Sequence, residues 1–109
     1  LARVSDRVTR AADENPASTR FLNARAWLAA RTGADLEAGL RAAERAAELA
    51  PESAGIVDTL AEVRFQLGDR AGALEAGRRA LALQPDREYF AQQLARFEAG
   101  DRSTRPPVD

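Results

Sequence analysis

Asp58 and Glu62 stand four residues apart, a spacing that lays two carboxylates on one face of a helix. Such a pair can act as general acid and base, or hold a divalent cation, so it is the first candidate for chemistry in this chain. The rest of the inventory is narrow. Histidine, cysteine and methionine are absent, and all 16 basic residues are arginine. That excludes an imidazole base, a thiolate nucleophile, a structural zinc site of the usual ligands, a Schiff base and the lysine of a phosphate-binding loop. A single helix face encloses little, and the expectation is a non-catalytic protein without cofactor or metal.

The elements that carry these residues are helical by composition. Roughly a quarter of the 109 residues are alanine, the strongest helix former, which favours helices in close contact. The length suits one domain with a modest core. Sixteen basic against 17 acidic residues leave a net charge of -1, which gives nucleic acid or an anionic membrane little long-range attraction. No stretch approaches the ~20 apolar residues that span a bilayer. The chain opens at Leu1, which suggests a segment of a larger, bacterial-type protein.

An internal repeat organises the chain. Pro16, Pro51 and Pro85 recur at intervals of 35 and 34 residues, and the same phase aligns Ala11, Ala46 and Ala80. Ala26, Ala61 and Ala95 form another column, as do Phe21, Ile56 and Phe90; Leu22, Val57 and Ala91; and Leu28, Val63 and Phe97. A period of this length marks a stack of similar units, each hiding its apolar face against the next. Between Ile56 and Leu83 two apolar stripes at helical spacing flank Gly68-Asp69, where glycine can end one helix and the aspartate can cap the next. Gly33-Ala34-Asp35 repeats that chemistry with one extra residue, and Asp86 is expected to cap a last helix. Six helices are predicted, at about 2–14, 18–32, 36–49, 54–67, 70–83 and 87–99.

In its columns and its 34-residue helix-turn-helix period the chain resembles the tetratricopeptide repeat family. Leu60-Ala61, Gly68-Asp69, Ala73, Ala80 and Pro85 fall in register with the family pattern, and Ala26, Gly33, Ala46 and Pro51 match it more loosely, with Gly39 in the place of Ala73. The resemblance implies a right-handed α-solenoid of antiparallel helix hairpins. Its parts would be a half-repeat at 1–16, repeats at 19–53 and 54–87, a capping helix at 88–100 and a flexible tail at 101–109. Ala61 against Ala73, and Ala26 against Gly39, would let paired helices approach to ~8–10 Å. Ala43 and Gly77 replace the aromatic residues usual in the family, so that interface must be filled by others, Phe65 or Phe97 being the candidates.

The resemblance also implies a concave face lined by the first helix of each unit, where a protein or peptide segment binds. By repeat phase the residues there are Arg20, Asn23, Trp27 and Arg31, then Asp58, Glu62 and Phe65, then Tyr89, Gln92, Gln93 and Arg96. Trp, Tyr and Arg are enriched at binding hot spots. Each has a plainer reading. Trp27 either anchors a ligand or packs on the neighbouring unit. Glu62 and Arg96 share a column and form either an ion pair or partner contacts, while Asn23 and Asp58 form either a hydrogen-bond ladder or a recognition pair. Arg78-Arg79 reads as solvated outer surface. The clamp with which some members grip a terminal carboxylate is not reproduced, because there is no lysine and only Asn23 and Arg96 suit it. The expected function is a protein-interaction scaffold. The alternative is self-association or packing against upstream repeats through the stripe Leu1, Val4 and Val8 of the half-repeat.

Overall fold

The computed structural model describes residues 18–102, which form five α-helices and no strand. These are α1 (Thr19–Thr32), α2 (Leu36–Leu49), α3 (Ala54–Gln66), α4 (Arg70–Leu83) and α5 (Glu88–Ala99). The class is all-α, and these helices lie where periodicity puts them, to within a residue at each end. Five helices replace the expected six, because the helix at about 2–14 and the half-repeat at 1–16 lie outside the described residues. None of the described helices is long and apolar enough to cross a membrane.

Local chemistry sets the helix ends, and it repeats. Ser18, Ser53 and Arg87 hold the N-cap of α1, α3 and α5 with nearly one backbone geometry, φ/ψ of -84/108, -85/106 and -90/107. The serine hydroxyls accept from the amides of Phe21 at 3.5 Å and Ile56 at 3.4 Å, which satisfies one otherwise unpaired donor in each helix. Arginine cannot accept, so α5 starts without a side-chain cap, and Asp86 does not serve as one. At the other end, Ala50 and Gln84 leave the helical region at φ/ψ of -137/67 and -139/73. Each precedes a proline, whose ring disfavours the α conformation in the residue before it.

The two short turns differ. Asp69 accepts from the Gly72 amide at 2.9 Å, after Gly68 has taken the left-handed conformation at φ 89. Asp35 makes no cap bond. The extra residue of that turn places it at φ 57, a left-handed conformation that aspartate tolerates better than most side chains.

Packing follows from the small residues. Each helix packs on the next, α1 and α5 also pack on α3, and neither α2 with α4 nor α1 with α5 is in contact. One apolar cluster, built around Leu22, Ala26, Ala42, Ala46, Leu60 and Val63, joins α1, α2 and α3. A second, built around Val57, Ala61, Phe65, Ala73, Phe90 and Phe97, joins α3, α4 and α5. Ala26, Ala46, Ala61 and Ala73 are wholly buried. A methyl group on Gly39 would stand 2.5 Å from the Ala29 β-carbon, and one on Gly77 would stand 3.3 Å from the Phe97 ring. Phe97 thus fills the space beside Gly77, one of the two solutions the sequence left open.

Gly39 and Gly55 therefore respond oppositely to alanine. Both changes gain helix propensity, up to ~1 kcal/mol, but at Gly39 the added carbon has no rotamer by which to avoid Ala29, and overpacking at about 1–3 kcal/mol outweighs the gain. A methyl at Gly55 meets nothing within 4 Å. Urea unfolding is expected to show Gly39→Ala less stable than the parent and Gly55→Ala equal to it or more stable.

Candidate functional site

Nine of the described residues line one cavity of about 240 Å³. Asn23 and Trp27 enter it from α1, Gly55, Asp58 and Thr59 from α3, Gln84 and Arg87 from the connection after α4, and Tyr89 and Phe90 from α5. The cavity exists because α1 and α5 both lean on α3 without reaching each other. The Ser53 cap starts α3 two residues before Gly55, and the extended backbone at Arg87 starts α5 just before Tyr89 and Phe90.

Beneath the cavity runs a buried polar network. Gln93 donates through Nε2 to both carboxylate oxygens of Asp58, at 3.4 and 3.2 Å, and to Oε1 of Glu62 at 3.3 Å. Arg96 ion-pairs with Glu62, donates from Nε to Gln93 Oε1 at 3.1 Å, and donates from Nη1 to the Asp101 carbonyl at 2.8 Å. Gln66 donates to the second Glu62 oxygen at 3.0 Å. The Arg96 guanidinium also lies 5.0 Å from the Phe97 ring centroid and 5.5 Å from that of Phe65, and those two rings are 4.9 Å apart. Asp58, Glu62, Gln93 and Arg96 are all buried, at 4%, 0%, 3% and 7% exposure.

Burial governs the titration of this network. Asp58 is pushed up from 3.8 to about 7, first by loss of solvent and further by the Glu62 charge, against the opposing hydrogen bonds of Gln93 and Tyr89 and the charge of Arg96. The Tyr89 phenol, which donates to Asp58, is pushed above its ordinary range by burial and by the Asp58 and Glu62 charges. Both remain protonated more readily than their exposed counterparts.

Of the concave-face residues named from the repeat phase, Asn23, Trp27, Asp58 and Tyr89 come together in the cavity, and Asp58, Glu62, Phe65, Gln93 and Arg96 come together beneath it. For Glu62 and Arg96 the structure selects the ion pair. Of the two readings of Asn23 and Asp58, the hydrogen-bond ladder is not formed among the described residues: Asp58 bonds to α5, and the buried Asn23 Oδ1 has no hydrogen-bond partner there. Arg20 and Arg31 are exposed, as is Gln92, whose amide donates to Glu88 at 3.2 Å. Thr59, Gln84, Arg87 and Phe90 were not foreseen in the cavity. Phe90 shares an apolar column with Phe21 and Ile56, and Gln84 and Arg87 belong to a connection that helical periodicity does not orient.

Asp101 and Arg102, expected in a flexible tail, are held: Asp101 by Arg96, and Arg102 by Gln66, whose amide donates to the Arg102 carbonyl at 3.1 Å while the Arg102 guanidinium donates to the Gln66 carbonyl. The rest of that tail lies outside the described residues.

No protein-family model matches the chain, and no curated protein is significantly similar to it. The tetratricopeptide resemblance therefore stands on the residues quoted for it.

Two outcomes follow. Arg96→Met strips Glu62 of its ion-pair partner at a fully buried position, and thermal or urea unfolding is expected to register a loss of about 3–5 kcal/mol. For Asp58, the unfolded chain releases its proton near 3.8, so up to about pH 7 the folded state holds a proton that the unfolded state lacks. The stability this contributes is fully present at low pH and is lost as pH rises through about 7. Asp58→Asn should thus gain on the parent between pH 5 and pH 8, by on the order of a few kcal/mol, and an equal difference at both pH values would contradict the assignment.

Proposed function

We propose that the chain is a tetratricopeptide-type scaffold, its helices stacked as antiparallel hairpins in a right-handed solenoid, and that it binds a peptide or protein segment on the face formed by α1, α3 and α5. The repeated cap geometry supports the solenoid, since Ser18, Ser53 and Arg87 recur with nearly equal backbone angles at the period of the prolines. So does the packing, in which α3 is flanked by α1 and α5 while α2 and α4 stay apart. In this arrangement α1, α3 and α5 are the first helices of successive units.

The observation that carries the binding reading is the cavity itself. It gathers the sole tryptophan and the sole tyrosine of the chain, Trp27 and Tyr89, from two different units. Large aromatic side chains with a polar tip give most contact energy per ordered rotamer, which is why they dominate hot spots in polypeptide recognition. At about 240 Å³ the cavity falls below the ~300–1,000 Å³ of sites for drug-sized ligands and suits one side chain of a longer segment. Catalysis does not enter this reading: Glu62 is committed to its ion pair, and Asp58 to Gln93 and Tyr89.

Selection from a displayed peptide library tests the proposal. Peptides recovered by the parent protein are expected to lose at least ~tenfold in affinity, about 1.4 kcal/mol, on Trp27→Ala or Tyr89→Ala. They should bind Arg78→Ala and Arg79→Ala, on the opposite side, as well as the parent. Equal loss at both faces, or none at Trp27 and Tyr89, would overturn it.

A further inference from the structure

When Asp58 is ionised, the buried network of described residues carries one more negative than positive charge. Asp58 and Glu62 contribute two carboxylates and Arg96 one guanidinium, and among the charges acting on Asp58 only Arg96 favours its ionised form. Glu62 holds Arg96 directly. Asp58 is left with the neutral donors Gln93 and Tyr89, and it lies on the cavity wall. Asn23 lines the same cavity, and among the described residues its buried Oδ1 has no hydrogen-bond partner. Leaving a buried acceptor unmet is costly, and an incoming donor would recover that cost.

Around these two acceptors stand Trp27, Tyr89 and Phe90. Aromatic faces attract a desolvated cation, Trp most strongly. The exposed Arg87 lies at the rim, its guanidinium 5.9 Å from the Phe90 ring centroid.

Resting on the proposed binding face, we infer that this cavity receives the cationic side chain of an arginine or lysine in the partner polypeptide. Its ammonium or guanidinium donates to Asn23 Oδ1 and Asp58, and its stem lies among the aromatic rings. Occupancy supplies the positive charge that the network lacks, so the incoming cation and the Asp58 proton compete. The groups facing Asp58 are Glu62 on its own helix, Tyr89, Gln93 and Arg96 on α5, Arg87 before α5, and Asn23 and Trp27 on α1. Asp58 titrates at about 7, so the cation binds more tightly as pH rises through that value.

Trp27, as the only tryptophan, reports on the cavity by its emission. The probes are blocked pentapeptides of glycine with a central arginine, lysine, glutamine or glutamate. The arginine and lysine peptides are expected to give a saturable change, at least ~fivefold tighter than glutamine and tighter at pH 8 than at pH 5.5, with glutamate inert. Asn23→Leu and Asp58→Asn should each weaken the basic peptides at least ~fivefold, while circular dichroism and melting confirm that both variants fold. Glutamine or glutamate binding as well as arginine, or Asp58→Asn binding unchanged, overturns the inference and leaves the binding-face reading intact. No response to any of the four peptides overturns the cavity as a side-chain site, whereas the binding face itself is decided by the library selection.

Discussion

α3 touches all four other described helices, which leaves little of its surface to water, yet it carries two carboxylates. Contact with α1, α2, α4 and α5 buries Asp58, Thr59 and Glu62 together with Val57, Leu60, Ala61 and Val63. Burying an ionised carboxylate alone is prohibitive, so it must be paired or protonated. Glu62 is paired. Asp58, with neutral partners only, is shifted towards protonation instead. The position of α5 depends on the same requirement, because Gln93 and Arg96 must reach down to α3 for the network to close. The polar side of α3 thereby helps set where the last helix lies, and with it the wall of the cavity.

The fold was legible because its signals were periodic. Proline and alanine columns at 35 and 34 residues anticipated five described helices nearly to the residue, and the small residues Gly39, Ala61 and Ala73 lie at close or buried contacts as the spacing required. Caps were less legible. Asp69 met its expected role, but Asp35 was displaced by a single inserted residue, and the serines that cap α1 and α3 were passed over although they too recur at 35 residues.

For the site, phase speaks to the side of a helix but not to depth. It puts Asp58, Glu62, Gln93 and Arg96 on one side, and they share one hydrogen-bonded network, yet periodicity alone cannot distinguish a polar residue that faces solvent from one sealed beneath its neighbours. That distinction is made by tertiary packing, here by Phe65 and Phe97 closing over Arg96. Columns also imply that equivalent residues stack in register, as Asn23 and Asp58 were expected to do. Asp58 instead satisfies itself with α5, since Gln93 and Tyr89 both reach it, and the buried Asn23 Oδ1 finds no partner among the described residues. The break in the ladder is what gives the site its chemistry.

The exchange of hydrogen bonds between Gln66 and Arg102 has a geometric meaning for the residues that follow α5. Arg102 also lies over the Phe65 ring, 6.0 Å from its centroid, so the backbone turns back from the tip of α5 and departs alongside the C-terminal end of α3. Residues 101 and 102 are thereby anchored beside Phe65 at the end of α3 instead of continuing along the axis of α5.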